Sequence, residues 1–353
     1  MSTLATNAIT DAAGGNTATI NSYTPTESNM AGRNRIINGD MRIDQRNGGA
    51  SVNNQATNSY TLDRWNIYGD QASKFSVQQN AGSVTPPLGF SNYLGITSLS
   101  ALSPSATDLY ILRHKIEGFN IADLGWGTAN AQSVTLSFWI RSSLTGTFGG
   151  VFGNGAGNRS YPFTYSIASA NTWEQKTIII SGDTTGTWAF DNTIGMQIIF
   201  SIGVGTNFQG TAGEWASAGY YAPTGATSVV ATNSATFYIT GVQLEAGSVA
   251  TPFEHRQYGH ELALCQRYYE VISSFQQQEE NAYASYRYLS ATQFRVRKRV
   301  IPTSTVTLTY AWPNGAAVSN FGADQNNQDF VGTVDYNSIN TLYNFTISSS
   351  AEL

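Results

Sequence analysis

Apolar and polar residues alternate along much of this chain, which is the period of a β-strand that buries one of its faces. Within residues 134–140 every second side chain is apolar: Val134, Leu136, Phe138 and Ile140. Residues 177–180 and 196–202 are further runs rich in β-branched side chains, each followed closely by a glycine. Many short runs of this kind, separated by loops, predict an antiparallel β-sandwich over the middle of the chain.

One run of apolar residues changes phase at a glycine, Gly241. Phe237 and Ile239 share one phase of the alternation, whereas Val242 and Leu244 share the other. A β-bulge adds one residue to a strand, so a bulge at Gly241 turns both pairs toward the same core. We therefore expect a bulged strand through this region.

One helix is predicted, over residues 255–274. Leu262, Cys265 and Tyr269 recur at spacings of three and four, with Tyr258 one turn earlier, and no proline interrupts them. The apolar stripe makes this connecting helix amphipathic and requires a partner, either the sandwich or the same stripe from other copies around a threefold axis. Cys265 is expected to be a small buried apolar side chain.

The two ends of the chain differ from this middle region. Residues 1–35 contain scarcely a large apolar side chain, so they cannot bury enough surface to fold alone. We expect an extended segment that docks on another molecule, although an arm folded back on its own domain has the same composition. Residues 275–353 return to strand patterns, for example where Arg295 and Arg297 alternate with apolar neighbours. This C-terminal β domain is small, so association helps to stabilise it.

Composition narrows the function before any motif is considered. The chain has 353 residues, of which 12% are charged, and its net charge is −5 without a basic block. Nucleic-acid binding depends on neutralising phosphates, so DNA and RNA are not expected partners. One cysteine and three scattered histidines exclude an intramolecular disulfide and a Cys/His zinc cluster.

No segment has the pattern of a membrane anchor or a leader. No apolar run approaches the roughly 18 residues of a membrane span. The N-terminus lacks the basic start and apolar centre of a signal peptide. We therefore expect a soluble protein without membrane insertion that is not conventionally exported.

Several short motifs occur in a fixed order: RIINGDMRIDQR at 35–46, YTLDRW at 60–65, IEG at 116–118, the strand pattern at 134–146, VQLEAG at 242–247, ATPFE at 250–254, EL at 261–262 and CQRYY at 265–269. Together they resemble a module found in bacteriophage tail fibres and related virion proteins. The resemblance implies a virion component with a jelly-roll core similar to carbohydrate-binding modules, commonly trimeric. The domains are then a virion-docking segment (1–35), a jelly roll (36–254), a connecting helix (255–274) and a C-terminal β domain (275–353).

The function that this resemblance implies is attachment. We expect a structural virion fibre protein, a homotrimeric phage tail fibre that docks on other tail or capsid proteins through residues 1–35 and binds a host cell-surface glycan. Three identical weak sites gain from effective concentration. Two alternatives remain open: a purely structural capsid-decorating fibre or tail adaptor without a receptor site, and a glycan depolymerase.

Residue types that catalyse hydrolysis are present but form no recognisable pattern. The carboxylates that could pair as in a glycosidase are Glu174, Asp183, Asp191 and Glu214. All four lie near turn-like residues, so solvated surface positions explain them without catalysis. The chain has no G-x-S-x-G elbow, H-E-x-x-H helix or phosphate-binding loop. We therefore expect binding rather than turnover, and no cofactor.

Aromatic side chains in loops are the best candidates for a saccharide site. Sugar C–H groups stack on aromatic faces, while amides, hydroxyls and carboxylates satisfy ring hydroxyls. The glycine-rich segment 208–221 contains Trp215, Tyr220 and Tyr221, and Trp188 lies in another turn-flanked segment. We assign these four residues to glycan binding, with packing between subunits as the alternative role.

Other residues in the motifs are assigned structural roles. Trp65 and Trp139 lie in strand-like runs and are expected in the core. Asp63 and Arg64 are adjacent, and we expect them to form a structural ion pair, with a metal site or a receptor contact as alternatives.

A calcium site is considered only because of the resemblance. Carbohydrate-binding jelly rolls often hold a structural calcium near their first and last strands, which draws attention to Asp40, Asp44 and Glu245. Thr240 and Gly241 occupy the place where such modules often have acidic ligands. Calcium requires several oxygen ligands, so no metal site is predicted.

Overall fold

The computed structural model describes residues 32–282, 287–312, 317–333 and 338–353. The predicted docking segment lies outside the described residues, apart from positions 32–35. These positions are tied to the sandwich, since Arg35 N donates to the carbonyl of Leu244 at 2.9 Å and Asn34 N donates to Glu254 Oε2 at 2.8 Å. The sandwich therefore includes residues 34 and 35.

The middle of the chain forms a β-sandwich of jelly-roll type. Its strands, in chain order, are β1 (Val52–Asn53), β2 (Ser59–Tyr60), β3 (Trp65–Gly69), β4 (Phe75–Gln79), β5 (Leu94–Ser98), β6 (Leu109–Glu117), β7 (Val134–Ser142), β8 (Gly146–Asn154), β9 (Ser160–Ile167), β10 (Glu174–Ile180), β11 (Ile194–Val204), β12 (Gln209–Gly210), β13 (Ala222–Pro223) and β14 (Thr236–Ala246). Sheet I has the order β1-β4-β5-β14-β7-β10 and sheet II has the order β2-β3-β6-β11-β8-β9. Neighbours within each sheet are antiparallel, so the predicted fold class is confirmed.

The core lies between the two sheets and is built by the alternation of side chains along the strands. The predicted inward residues of β7 are fully buried: Val134, Leu136, Phe138 and Ile140. Phe138 meets Phe200 of β11 edge to face, with 5.2 Å between ring centroids. Trp65 is also fully buried, as expected. Trp139 is half-buried, and its assignment to the core is wrong because it is out of phase with Phe138 and Ile140.

The predicted bulge in β14 is confirmed. Gly241 has a φ of +60°, and the register with β7 shifts between Thr240 and Gln243. The apolar side chains on both sides of the bulge are fully buried: Phe237, Ile239, Val242 and Leu244. A Cβ at position 241 would stand 2.6 Å from the ring of Phe90. Glycine is therefore required both by the backbone conformation and by a close contact.

The predicted connecting helix is present but is shorter than expected. Helix α1 spans Tyr258–Gln266, and strand β15 (Tyr269–Ala282) follows almost at once. Tyr269 pairs with Ser350 across an antiparallel ladder. The predicted range 255–274 is therefore too long, because inter-strand hydrogen bonds replace helical ones from Tyr269 onward.

Helix α1 packs on the N-terminal part of the same chain. Cys265 is fully buried, as expected, and clusters with Ile37 and Ile43. Glu261 is also buried and accepts a hydrogen bond from the backbone N–H of Asn38. Tyr258, assigned to the apolar stripe, is 56% exposed. Within the described residues, the buried side of the helix finds its partner in its own chain.

The C-terminal block contains two three-stranded sheets. Its further strands are β16 (Arg287–Gln293), β17 (Thr303–Trp312), β18 (Ala317–Ala323), β19 (Asn327–Thr333) and β20 (Ser338–Ser350), with sheet orders β15-β20-β17 and β16-β19-β18. Residues 294–299, where alternation predicts a strand, form an irregular segment instead. Lys298 Nζ donates to Glu270 Oε2 at 2.5 Å, and both side chains are fully buried. This buried ion pair holds residues 294–299 against Glu270.

Glu352 joins the C-terminal block to the sandwich. Its carboxylate pairs with Arg64 and with Arg46, the latter at 2.8 Å. The expected ion pair between Asp63 and Arg64 is therefore wrong. Asp63 instead accepts hydrogen bonds from the backbone N and the Nε2 of Gln45, at 2.7 and 2.9 Å. Adjacent side chains diverge, so sequence neighbours need not be partners.

Two buried groups near these motifs respond to acid in opposite ways. Burial raises the pKa of Asp63 to about 6. Burial lowers the pKa of His114 well below its usual value, and nearby Arg64 lowers it further. As the pH falls below about 6.5, the unfolded chain gains a proton at His114 that the folded chain does not, which costs stability. Below about pH 6 the folded chain gains a proton at Asp63, which offsets this loss down to about pH 4.

We expect Asp63→Asn to make the protein more sensitive to acid, because it removes the offsetting proton. Between pH 7 and pH 4, the free energy of unfolding of the variant should fall by about 3 kcal/mol more than that of the wild type. This difference corresponds to a proton bound by folded Asp63 over roughly two pH units, at about 1.4 kcal/mol for each unit. Denaturant unfolding at a series of pH values measures the difference. If the two stability curves run parallel between pH 7 and pH 4, the assignment of a raised pKa to Asp63 is wrong.

Candidate functional site

The four side chains predicted for glycan binding do not form one group. Trp188 and Trp215 form a cluster with Trp126, in which ring centroids are 4.7, 5.4 and 5.7 Å apart and each pair meets edge to face. Trp188 is only 5% exposed. Trp215 is half-buried, and its Nε1 donates to the carbonyl of Ser181 at 2.9 Å. Both rings serve packing here, and glycan contact through them stays a prediction.

A buried ion pair lies beside this tryptophan cluster. Arg159 donates from Nε and Nη2 to the two oxygens of Asp183, at 2.8 and 2.6 Å, and its guanidinium lies 5.8 Å from the centre of the Trp215 ring. Burial acts to raise the pKa of Asp183, but hydrogen bonds from Arg159 and Thr185 outweigh it, so the pKa is lowered. Asp183 is 1% exposed, and the expectation that it is a solvated surface carboxylate is wrong.

We expect Trp215→Ala to destabilise the sandwich, because it opens space beside Trp126 and Trp188 and removes the hydrogen bond to Ser181. Truncating a well-packed aromatic side chain costs about 3 kcal/mol, which lowers the melting temperature by several degrees. Phe119→Ala is the matched control, since that ring is 61% exposed and its loss should leave melting unchanged. Wild-type melting of Trp215→Ala would contradict the packing role and favour an exposed glycan platform.

Tyr220 and Tyr221 make ring contacts outside the tryptophan cluster. The Tyr220 ring covers Gly210 so closely that a Cβ there would stand 2.3 Å from it, and Tyr220 N donates to Ser160 Oγ at 3.2 Å. Tyr221 instead meets Phe208 edge to face, with 5.7 Å between ring centroids. The two neighbouring tyrosines therefore have different roles, and Tyr221 joins the outer face of sheet II.

Tyr221 borders a partly exposed region of that outer face. The outward side chains of β3 and β6 lie beside each other there, because Asn66 pairs with Arg113 and Tyr68 with Ile111. Tyr68, Phe208 and Tyr221 pack on one apolar patch, which consists of Ile111, Val151, Ile199, Val204 and Ala222. We call the surface formed by Tyr68, Arg113 and Tyr221 the Tyr68–Tyr221 face.

Arg113 supplies the charged group of the Tyr68–Tyr221 face. Its Nη2 donates to Asn58 Oδ1 at 2.6 Å and to Asn66 Oδ1 at 2.7 Å, while within the described residues no hydrogen bond uses Nη1. Burial lowers the pKa of Arg113, and the phenols of Tyr60 and Tyr221 oppose that shift. The guanidinium is thus held in place by two amides and keeps donors for a ligand.

Tyr68 is oriented by a carboxylate. Its hydroxyl donates to Asp70 Oδ1 at 2.7 Å, and the other oxygen of Asp70 accepts the backbone N–H of Leu109. The hydrogen bond from the Tyr68 hydroxyl to Asp70 is the main cause of the raised pKa of Tyr68, and burial contributes less. The phenol therefore stays protonated, and its ring position is fixed by β3 and by the start of β6.

The Tyr68–Tyr221 face combines the groups that a sugar ring requires. Two tyrosine rings offer apolar faces, and Arg113 offers charged donors next to amide oxygens. The groups present can stack on a ring and form hydrogen bonds with hydroxyls.

Sequence reasoning identified one of the three residues of this face, Tyr221. Tyr68 and Arg113 lie on strands, so the loop composition that indicates Tyr221 does not indicate them. A signal did exist, since Tyr68 alternates with the buried Ile67 and Arg113 with the buried Leu112. Alternation places both outward, but it does not place them side by side.

The residues considered for calcium each have another partner. Asp44 accepts the backbone N–H groups of Asn47 and Gly49, and Glu245 accepts hydrogen bonds from Thr251. Among the described residues there is no group of three or more His, Cys, Asp or Glu side chains placed to hold a metal ion. The described part of the chain also contains no helix long and apolar enough to cross a membrane.

Comparison with known proteins does not assign the chain to a family. No protein-family model and no curated protein matches it. Among solved structures it is similar to the enzymatically active domain of tailspike protein 4 of bacteriophage CBA120, at 13% identity over 61% of this chain and 21% of that chain, with a TM-score of 0.32. It is also similar to CBM4, at 13% identity over 60% of this chain and 98% of that chain, with a TM-score of 0.29.

A third similar structure is the family 11 carbohydrate-binding module from Clostridium thermocellum in complex with a β-1,3-1,4-mixed-linked tetrasaccharide. The identity is 10% over 57% of this chain and 98% of that chain, with a TM-score of 0.28. Similarity at this level identifies neither a family nor a function for this chain.

Proposed function

We propose that this protein binds glycans through the Tyr68–Tyr221 face. The observation that carries the proposal is the setting of Arg113, whose guanidinium is held by two amide oxygens on the same outer face as two half-buried tyrosine rings. An apolar patch supports both rings from below. Rings that stack on sugar C–H groups, next to fixed donors and acceptors for hydroxyls, form the usual chemistry of saccharide recognition.

The charges near this face define the class of glycan. Arg113 provides one positive group, and Asp70, bound to the Tyr68 hydroxyl, provides one negative group. A neutral glycan, or one with few acidic groups, matches this balance better than a polyanion does. The net charge of −5 on the whole chain also disfavours strongly acidic polymers.

Three of the motifs that resemble phage fibres meet in the folded chain. The carbonyl of Asn38 accepts the Nε1–H of Trp65 at 2.9 Å, and the side chain of Asn38 donates to the carbonyls of Ile43 and Asp63 at 2.8 and 3.0 Å. Helix α1 joins the same place through Glu261. Residues from three motifs thus form one buried network, which supports their reading as parts of a single module.

The biological setting that we propose is a virion. The chain would be a homotrimeric fibre that docks on tail or capsid proteins through residues 1–35 and attaches to a host cell-surface glycan. The motif resemblance supports this setting, and the Tyr68–Tyr221 face provides a place for the glycan. Three such faces on one particle component strengthen a weak single-site affinity through effective concentration.

We expect Tyr221→Ala to weaken glycan binding by about tenfold or more, equivalent to about 1.4 kcal/mol, because it removes a stacking ring. Arg113→Lys should have a similar effect, since it keeps the charge but loses the planar set of donors. A glycan array identifies the ligand, and calorimetric titration then measures the affinity of each variant.

Tyr258→Ala is the matched control for this experiment, because Tyr258 is an exposed tyrosine on helix α1. It should bind like the wild type. If Tyr221→Ala and Arg113→Lys are folded and bind the same glycan with wild-type affinity, the Tyr68–Tyr221 face is not the site. Release of reducing ends from host polysaccharide would instead favour the depolymerase alternative.

We expect light scattering of the full chain to give three times the chain mass of 38.0 kDa. The physical reason is that the small C-terminal block gains stability by burying surface against other copies. A stable monomer at micromolar concentration would contradict the trimeric fibre while leaving the glycan proposal intact.

A further inference from the structure

The bulge in β14 leaves space for an aromatic cluster on the outer face of sheet I. Phe90 packs over Gly241, where the absence of a side chain leaves room for its ring. Phe90 also packs against Phe253 and His255, with centroid distances of 5.1 and 5.5 Å, and these two rings lie 4.9 Å apart. Phe90 and Phe253 are half-buried and His255 is exposed, so the cluster faces solvent on one side.

A cleft with a volume of about 360 Å³ opens beside this cluster. It is lined by Asp40, Arg42, Gly89, Phe90, Ser91 and His255. The tight turn before Asp40 is tied to the bulge, since Val242 N donates to the carbonyl of Gly39 at 2.9 Å. The position of the carboxylate relative to the rings is therefore set by the strand itself.

Asp40 carries the strongest indication of a ligand in this cleft. The residue is only 4% exposed, yet its Oδ1 has no hydrogen-bond partner among the described residues, while Oδ2 pairs with Arg42. Buried carboxylate oxygens are normally satisfied, so an unsatisfied one in a residue that lines a cleft indicates a partner that the described chain does not supply. Arg42 is itself anchored, because its Nη2 donates to the carbonyl of Arg256 at 2.8 Å.

The charges of the cleft indicate which ligand fits. Asp40 and Arg42 cancel each other, so neither an anion nor a cation finds an uncompensated opposite charge. What remains is one carboxylate acceptor, the hydroxyl of Ser91, the imidazole of His255 and the face of an aromatic ring. These groups suit a neutral ring that carries several hydroxyls.

We propose that this cleft is a second saccharide site, which binds a single neutral sugar residue beside Asp40 and against the rings of Phe90 and His255. The choice of ligand class rests on the proposed function, but the site does not, since it lies on sheet I and shares no residue with the Tyr68–Tyr221 face. Each chain then has two glycan sites on opposite sheets, which allows it to engage two branches or two chains at once.

Transverse-relaxation-optimised nuclear magnetic resonance of the ²H,¹⁵N-labelled full chain tests the proposal with free glucose, galactose and N-acetylglucosamine, each titrated separately. At least one sugar should shift the backbone amides of Gly89, Ser91 and His255 in a saturable manner. Asp40→Asn and His255→Ala should each weaken this binding by about tenfold. His260→Ala is the matched control, because His260 is also exposed but does not line this cleft.

His255→Ala keeps the test valid if Asp40→Asn fails to fold, because an exposed side chain can be removed without loss of the core. Tyr221→Ala, in the same titration, should leave the response at Gly89, Ser91 and His255 unchanged. Sugar responses confined to the Tyr68–Tyr221 face would overturn the second site and leave the proposed function standing. Responses confined to the cleft would support the second site and overturn the Tyr68–Tyr221 face as a sugar site. No response at either place would overturn the second site and the proposed function.

Two further probes test the ligand class. Tetramethylammonium and glucuronate carry a positive and a negative charge, and both should shift the cleft amides less than the neutral sugars do. If either ion binds the cleft more tightly than every neutral sugar, the cleft is an ion site and the proposal is wrong.

Discussion

The β-bulge at Gly241 is the constraint on which the central strand of sheet I depends. Strand β14 carries four apolar side chains that must all face the core, and an extra residue is the only way to reconcile their two phases: Phe237, Ile239, Val242 and Leu244. The bulge interrupts the ladder with β7, so the N–H of Val242 bonds to Gly39 instead. That bond fixes the turn before Asp40, while the bare Cα of Gly241 admits the Phe90 ring. One requirement of core packing therefore shapes a surface cleft.

Ion pairs with buried carboxylates join separate segments of the chain. Arg64 pairs with Glu352, Lys298 with Glu270, and Arg159 with Asp183. Such pairs contribute less to stability than to the choice of partner, because either member alone would be a buried charge without compensation. The Arg64–Glu352 pair joins the C-terminal block to the sandwich, and the Lys298–Glu270 pair lies within that block. The Arg159–Asp183 pair lies beside the tryptophan cluster. This explains how a chain with few charges still depends strongly on some of them.

The side chains suited to ligand binding lie on the outer faces of the sheets. The two proposed sites are formed by different structural features. On sheet II, outward residues of adjacent strands bring Arg113 beside Tyr68, and a loop adds Tyr221. On sheet I, the bulge and the turn before Asp40 form a cleft around aromatic rings. Tyr68 and Arg113 lie on paired strands. The residues that line the cleft lie in loops, and the turn at Asp40 is tied to β14 by the hydrogen bond from Val242 to Gly39. Preorganised sites of this kind would suit the proposed fibre, in which several copies bind at once.

The sequence by itself determined the sandwich, the inward residues of β7 and the bulge at Gly241, because strand alternation depends only on residues two positions apart. Tertiary structure decided the end of helix α1, where pairing with β20 competes with helical bonds, and the partner of Arg64, which lies 288 residues away. It also decided which aromatic residues face solvent. Trp215 was predicted for glycan binding from loop composition but packs with other tryptophans, whereas Tyr68 and Arg113 become neighbours only when β3 pairs with β6. Local periodicity assigns a side chain to a face, but only the folded sheet determines what lies next to it.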